Sequence, residues 1–197
     1  MENSKTKMNI LEAYIKKYNQ FIILILGLPC SNKSKIAKEL HIDLKLPIIK
    51  INDYLKPNKY ITKEVDNIKF KLYEHPDIFD WDKLNDKVNE LKSTGVILYG
   101  NYIDIDNINF NIDYSFFINM NTTLCKNILI EKKLLQDTLN ENSIKIYFEK
   151  IFNPLYEELK QKISINKFFN IKEKTTFDEI YDSLFDILMD LISKKLK

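Results

Sequence analysis

A continuous apolar run that ends at a glycine constrains the fold of this chain more than any other feature. Residues 21–26 read FIILIL, and Gly27 follows directly. An uninterrupted apolar run rich in β-branched residues is typical of a strand that is buried on both faces of a parallel sheet. The run therefore predicts an α/β fold with this strand near the centre of the sheet.

The rest of the hydrophobic pattern predicts strands that alternate with helices. Further strands are predicted at 47–51, 96–99, 114–118 and 167–171, and helices at 4–19, 33–41, 80–93, 121–139, 143–163 and 177–195. Such alternation implies right-handed crossovers, which place helices on both faces of the sheet. We expect a three-layer sandwich with a mostly parallel five-stranded sheet. The length of 197 residues suits one domain over 1–197, with residues 1–19 as an N-terminal helical extension.

The charge balance and the cysteine content narrow the possible functions. The 30 basic residues are all lysine, and against 28 acidic residues they leave a net charge of +2, which argues against a dedicated nucleic-acid binder. The two cysteines show no disulfide framework and no metal-ligand spacing. The start of the chain is polar, and the apolar run at 21–28 is far shorter than the roughly 20 residues that span a bilayer. We therefore expect a cytoplasmic protein with no membrane partner, and the sequence leaves its oligomeric state open.

The segment after the first strand matches a phosphate-binding loop at all but one position. It reads Gly27-x-x-x-x-Asn32-Lys33-Ser34, where the loop pattern is Gly-x-x-x-x-Gly-Lys-Ser/Thr. In such loops, backbone N–H groups converge on phosphate oxygens, the lysine adds a positive charge, and the Ser/Thr hydroxyl binds Mg²⁺. The pattern predicts ATP and Mg²⁺ as ligands, although a solvated strand–turn–helix would read similarly. The expected ATP-binding residues are Gly27, Leu28, Pro29, Cys30, Ser31, Asn32, Lys33, Ser34 and Lys35.

The mismatch in the loop is Asn32, which replaces the second glycine of the pattern. That glycine usually stands where the backbone has a positive φ. Asparagine is the best substitute for glycine in that conformation. We therefore expect the loop to keep its shape with Asn32 in the left-handed region.

Several segments, in chain order, resemble those of the nicotinamide riboside kinases and the uridine kinases, which are P-loop nucleoside kinases. The similar segments are FIILILGLPCSNKSKIAKEL (21–40), IIKINDYLKP (48–57), YEHPDIFD (73–80), VILYG (96–100), SFFINMNTTLCKN (115–127) and YFEKIFNPLYEELKQKI (147–163). They are spread in order from residue 21 to residue 163, and several ordered matches are more specific than one degenerate loop. The resemblance implies a P-loop NTPase-type fold, with a lid-like helical region at about 121–160.

The resemblance also implies an activity, which is transfer of the γ-phosphoryl group of ATP to the 5′-hydroxyl of a ribonucleoside. Nicotinamide riboside or a similar riboside is the expected acceptor, and uridine or cytidine is the alternative. The family uses an aspartate at the end of the second strand as general base and Mg²⁺ contact. A gap-free match places Asn52 there, and a shift of one residue places Asp53 there.

Other site residues follow from the same resemblance. Glu74 stands where the family has the aspartate that holds the ribose hydroxyls, and Tyr54 lies beside the base position. Tyr73 would stack on the base or pack in the core. In the lid, Lys126 and Lys132 are the expected phosphate-binding cations.

The sequence departs from the family at positions that bear on catalysis. Besides Asn32 and Asn52, Tyr99 replaces a glutamate that helps to organise the metal site, and Asn127 stands at a lid arginine position. Lysine neutralises charge but lacks the planar two-point grip of arginine. A nucleotide-binding module that no longer turns over is therefore the second hypothesis.

Overall fold

A computed structural model describes residues 2–72, 74–131, 141–172 and 175–197, with side chains from residue 10 onward except those of 122, 128–131 and 141. The helices are α1 (Glu2–Tyr18), α2 (Lys33–Leu44), α3 (Trp81–Leu91), α4 (Thr122–Glu131), α5 (Glu141–Tyr147), α6 (Asn153–Lys162) and α7 (Phe177–Leu196). The strands are β1 (Ile22–Gly27), β2 (Ile48–Lys50), β3 (Ile61–Val65), β4 (Ile68–Leu72), β5 (Val96–Gly100), β6 (Tyr114–Met120) and β7 (Lys167–Ile171).

The main sheet has five strands in the order β2-β5-β1-β6-β7, and every neighbouring pair is parallel. In the register, Ile23 lies opposite Ile97 of β5 on one side and Tyr114 of β6 on the other. The predicted central strand and the parallel five-stranded sheet are confirmed. Because all five strands run the same way, their carboxyl ends share one edge, and the loop after β1 begins at that edge.

Alternation along β1 explains why the whole strand is apolar. Ile22, Leu24 and Leu26 contribute to the core on one face of the sheet, together with α3, α5, α6 and the β3–β4 hairpin. Ile23 and Ile25 contribute to the core on the other face, with α1, α2 and α7. Each side chain of this strand therefore enters a core, and the predicted three-layer sandwich is confirmed.

Strands β3 and β4 form a separate antiparallel hairpin that the sequence analysis did not predict. Its turn consists of Asp66 and Asn67, whose φ angles are 51° and 60°. Positive φ at both central residues is the conformation of two-residue hairpin turns, which Asn and Asp tolerate. The Asp-Asn pair between two alternating apolar and lysine-rich runs was the signal for this hairpin.

The predicted helix at 143–163 is divided by a wider turn. A π-helical segment over Phe148–Phe152 lies between α5 and α6, and Pro154 occupies the first turn of α6. Proline has no N–H for the helical ladder, so the turn before it loses the usual hydrogen bond. Of the predicted helix at 121–139, the structure describes only the part within α4. No helix among the described residues has the length and apolar character to span a membrane.

Helix α1 confirms the predicted N-terminal helix and packs on α7. The Tyr14 hydroxyl donates to the Asp113 carboxylate at 3.0 Å, and Lys195 Nζ donates to the Tyr14 hydroxyl at 3.0 Å. Asp113 directly precedes β6, so this contact lies at the amino-terminal edge of the sheet. The extension therefore lies away from the edge that carries the loop after β1.

Candidate active site

The loop between β1 and α2 contains two non-glycine residues with left-handed backbone conformations. The φ angles of Cys30 and Asn32 are 63° and 61°. The predicted positive φ at Asn32 is therefore confirmed. The Asn32 carbonyl accepts from the N–H groups of Lys35 and Ile36 at 2.9 and 3.0 Å, which starts α2 directly after the loop.

Gly27 allows the loop to lie close to β6. A Cβ atom at this position would be 2.6 Å from the Ile118 carbonyl oxygen and 2.7 Å from the Ser31 hydroxyl. Ser31 is fully buried, and its hydroxyl has no hydrogen-bond partner among the described residues. Because buried hydroxyls are normally hydrogen-bonded, the unpaired hydroxyl of Ser31 is a candidate contact for a ligand of the loop.

Lys33 lies inside the loop instead of pointing into solvent. Its side chain is buried, and Nζ donates to the Leu28 carbonyl oxygen at 2.9 Å. Burial lowers the pKa of Lys33 to about 8, and the nearby groups of Cys30, Cys125 and Glu74 act in the opposite direction. The loop backbone thus lies beside a buried ammonium group. An anion bound there would contact both the backbone N–H groups and the ammonium.

The next two residues of the loop motif are exposed. Ser34 lies in the first turn of α2, with its hydroxyl accessible. Lys35 places its Nζ 3.6 Å from the centroid of the Phe177 ring at the start of α7. Lys35 therefore makes a cation–π contact between α2 and α7, and its predicted ATP contact stays a prediction.

Glu74 lies at the junction of the elements around the loop. It is 8% exposed, and its charge favours the charged form of Lys33. The same charge contributes to the raised pKa values of Cys125 on α4 and Tyr156 on α6, for which burial is the larger cause. Asn101 directly follows β5, and its side-chain amide donates to the Glu74 carboxylate at 3.5 Å. The structure therefore places this carboxylate where its charge acts on the phosphate-loop lysine, a relationship that the sequence analysis did not predict.

Asp53 lies in a different setting, in the single 3₁₀ turn over Ile51–Tyr54 that follows β2. Its side chain is 63% exposed, and its carboxylate pairs with Lys50 Nζ at 3.0 Å. Asn52 is half-buried in the same turn. The general-base and Mg²⁺ roles of these two residues stay predictions, because Asp53 is not among the groups whose charges act on Lys33.

The remaining predicted site residues are dispersed. Tyr54 is half-buried and lies near the charges of Lys87 and Glu90 on α3. Lys126 is half-buried on α4. Tyr73 and Lys132 lie outside the described residues, so their predicted roles are untested.

A cavity of about 220 Å³ opens between the β3–β4 hairpin and the helical segments α5 to α6. Its apolar and aromatic walls come from Leu72, Tyr147, Ile151, Phe152, Pro154 and Leu155. Its polar lining consists of Lys63, Glu74, His75, Lys150 and Glu158. Because Glu74 also acts on Lys33, the cavity and the phosphate loop share this residue. The sequence analysis missed the cavity because it missed the hairpin that forms one wall.

One exposed ion pair joins the two walls of this cavity. Lys150 Nζ lies 2.7 Å from the Asp66 carboxylate in the hairpin turn. The pair connects the π-helical segment to the hairpin. The cavity is therefore bounded by two elements from distant parts of the sequence.

Comparison with known proteins identifies the fold but no family. No protein-family model and no curated protein match the sequence. Among solved structures, a Silicibacter protein provisionally named as a fructose transport system kinase matches with a TM-score of 0.53 and 14% identity, over 87% of this chain and 100% of that one. Shikimate kinase from Acinetobacter baumannii, solved with shikimate, matches with a TM-score of 0.52 and 16% identity, over 93% and 99% of the two chains. The chain therefore has an α/β fold with a parallel five-stranded sheet like that of these two proteins.

Proposed function

We propose that this protein is an ATP-dependent phosphotransferase whose acceptor is the 5′-hydroxyl of a ribonucleoside, namely nicotinamide riboside or a similar riboside. One observation carries the proposal, which is the meeting of two ligand-binding features at a single buried carboxylate. The phosphate loop around Lys33 and the cavity beside the hairpin both reach Glu74. A donor bound in the loop and an acceptor bound in the cavity would thus meet at this residue.

The loop has the groups that the phosphates of ATP need. Among the described residues, the ammonium of Lys33 donates a hydrogen bond only to the Leu28 carbonyl oxygen, at 2.9 Å, and phosphate oxygens can replace that acceptor. The Ser31 hydroxyl supplies a further unpaired donor. Lys35 and Lys126 remain the further phosphate-binding cations that the sequence predicts.

Mg²⁺ fits this site as the ion that arrives with ATP. The described residues contain no group of three or more His, Cys, Asp or Glu side chains that could hold a metal ion. Mg²⁺ commonly binds through substrate phosphates, waters and one or two protein oxygens, and Ser34 offers an accessible hydroxyl at the start of α2. When bound, the ion would neutralise charge on the phosphates.

The cavity fits a small acceptor that has an apolar ring and a polar end. The rings of Tyr147 and Phe152 lie along its wall, and base–aromatic stacking typically contributes about 1–3 kcal/mol. Glu74 and His75 supply polar groups at the same cavity. A carboxylate that accepts hydrogen bonds from hydroxyl groups is the expected partner of a sugar.

A nucleotide-binding module without turnover is the second candidate, and the pairing of Asp53 with Lys50 favours it. In that case the end of β2 lacks a free carboxylate, and Tyr99 on β5 adds none. The substitution Asn52→Asp separates the two candidates. A large gain in rate would indicate a kinase with a weakened site, whereas no change at all would favour a binding protein.

The direct test is nucleotide formation by the purified protein. MgATP is incubated with nicotinamide riboside, uridine, cytidine, shikimate or fructose, and the products are separated by liquid chromatography. We expect a riboside monophosphate and an equal amount of ADP, and neither product with Lys33→Met. Absence of any riboside monophosphate at high protein concentration would refute the proposal, and a phosphorylated product from shikimate or fructose alone would replace it.

A further inference from the structure

We infer that Glu74 is the group that accepts the proton of the acceptor hydroxyl, in place of the carboxylate at the end of β2. The inference rests on the proposed function and assigns a new role within the same site. The resemblance to nucleoside kinases implies ribose binding for Glu74 and a base role for Asp53 or Asn52. The positions of these side chains favour a different division of roles.

The first argument is the location of Glu74 relative to the donor site. A proton acceptor in phosphoryl transfer must lie within reach of both the attacking hydroxyl and the transferred phosphoryl group. Glu74 is buried, lines the cavity that we assign to the acceptor, and accepts a hydrogen bond from the Asn101 amide. Asn101 follows Gly100, which lies opposite Leu26 at the end of β1, so this contact lies at the sheet edge where the phosphate loop begins. Among the described residues that line the cavity, Glu74 is the one whose charge also acts on Lys33.

The second argument is the setting of Asp53. Its carboxylate is mostly exposed and is held by Lys50 at 3.0 Å. A base in that position would first have to leave its lysine partner and then turn toward the loop. Glu74, in contrast, is 8% exposed, lines the cavity and contacts Asn101 at the end of β5.

The chemical step balances with these groups. The acceptor oxygen forms a bond to the γ-phosphorus as its O–H bond breaks, and the proton moves to a carboxylate oxygen of Glu74. The bond between the γ-phosphorus and the bridging oxygen breaks, and ADP leaves with that electron pair. The proton on Glu74 passes to water after the products depart.

The key experiment compares steady-state kinetics of Glu74→Gln and Asp53→Asn with the wild type, using MgATP and the riboside that gives product. We expect Glu74→Gln to lower kcat at least 100-fold with little change in the KM for ATP, and Asp53→Asn to have a smaller effect. The opposite order, with Glu74→Gln raising only the KM for the riboside, would overturn the inference and restore ribose binding. If the wild type forms no monophosphate, the proposed function fails and the inference fails with it.

A pH profile separates a base from a structural residue. Among the described residues, the titratable and charged groups around Glu74 include Lys33 from α2, Cys125 from α4 and Tyr156 from α6, together with the other polar residues that line the cavity, Lys63, His75, Lys150 and Glu158. We expect kcat/KM of the wild type to fall at acidic pH as the base is protonated, and this fall to be absent in Glu74→Gln. Persistence of the same acidic limb in Glu74→Gln would contradict the assignment.

Two variants control for loss of folding. Glu74→Asp retains a carboxylate, and we expect it to recover part of the rate together with the acidic limb. Glu90→Gln removes an exposed carboxylate on α3 that pairs with Lys87 at 2.8 Å, and it should behave as wild type. An MgATP-induced rise in melting temperature in all variants would confirm that the loop remains intact.

Discussion

Lys33 Nζ donates a hydrogen bond to the carbonyl oxygen of Leu28, and 2.9 Å separates the two atoms. The lysine therefore binds its own loop, and its side chain is buried. Burying an ammonium group disfavours its charged form, which is why the pKa of Lys33 falls to about 8. The buried charge of Lys33 consequently lowers the stability of the folded chain, while in the proposed function the same charge contributes to ATP binding.

The first prediction concerns Lys33→Met. Below pH 8 the buried charge destabilises the folded chain. The fall in the pKa of Lys33 from 10.5 to about 8 corresponds to about 3 kcal/mol in the free energy of unfolding. Lys33→Met should thus be more stable than wild type at pH 7 by up to this amount. Because the unfolded lysine binds its proton up to pH 10.5, the difference should shrink as the pH rises from about 8 to 10.5.

Urea unfolding of both proteins at pH 7 and pH 10 measures this difference. The same variant should lose the MgATP-induced rise in melting temperature. Lys38→Met, which removes an exposed lysine from α2, serves as the control and should change neither quantity. A Lys33→Met protein that MgATP still stabilises would contradict the role of this lysine.

The second prediction concerns the left-handed residue Asn32. Asn32→Gly should change the free energy of unfolding by less than about 1 kcal/mol and should retain MgATP binding. Asn32→Val should cost about 1–2 kcal/mol, because a β-branched residue is strained at a φ of 61°. Thermal unfolding with and without MgATP measures both effects, and equal stabilities of the Gly and Val variants would be inconsistent with the loop conformation.

The third prediction concerns the two cysteines beside the loop. Cys125 is buried and donates to the Pro29 carbonyl oxygen at 3.3 Å, whereas Cys30 is partly exposed. Burial raises the pKa of Cys125 to about 12, so about one molecule in ten thousand carries its thiolate at pH 8. Iodoacetamide should therefore add one group to the native protein, at Cys30.

Intact-mass measurement checks the labelling. MgATP should slow the reaction because the phosphates cover the loop, and Cys30→Ser should remain unlabelled. Cys125→Ser should still take up one group. Two additions to the native protein at equal rates would show that Cys125 is accessible.

The fourth prediction concerns the acceptor cavity. Leu155→Trp should fill part of its volume of about 220 Å³ and raise the KM for the riboside at least tenfold. The MgATP-induced shift in melting temperature should stay unchanged, because the loop is not altered. Ile42→Trp adds the same ring at a position on α2 that is 64% exposed, and its kinetics should match the wild type. An unchanged KM in Leu155→Trp would place the acceptor elsewhere.

The parts of the fold that depend on local patterns could be predicted from the sequence. The run at 21–26 and the strands and helices after it follow from apolar periodicity alone, and Asn32 follows from the few residues that tolerate a positive φ. The hairpin was missed because each of its strands is short and mostly exposed. Its burial depends on Phe70, which packs against helices far along the chain.

The candidate site was harder to predict than the fold, because its residues come together only through tertiary packing. Glu74 and Lys33 come from separate segments, and only the tertiary fold places the Glu74 carboxylate where its charge acts on Lys33. Asp53 fitted the base position only after a shift of one residue, and the pattern could not indicate that Lys50, three residues earlier, would bind it.

The ion pair between Lys150 and Asp66 has a consequence for how quickly the acceptor is exchanged. Both partners are about half exposed, and such pairs typically contribute less than about 1 kcal/mol. Separating the hairpin from the π-helical segment thus costs little energy, and added electrolyte weakens the attraction further. If the proposed acceptor binds in this cavity, its association and release should become faster as ionic strength increases.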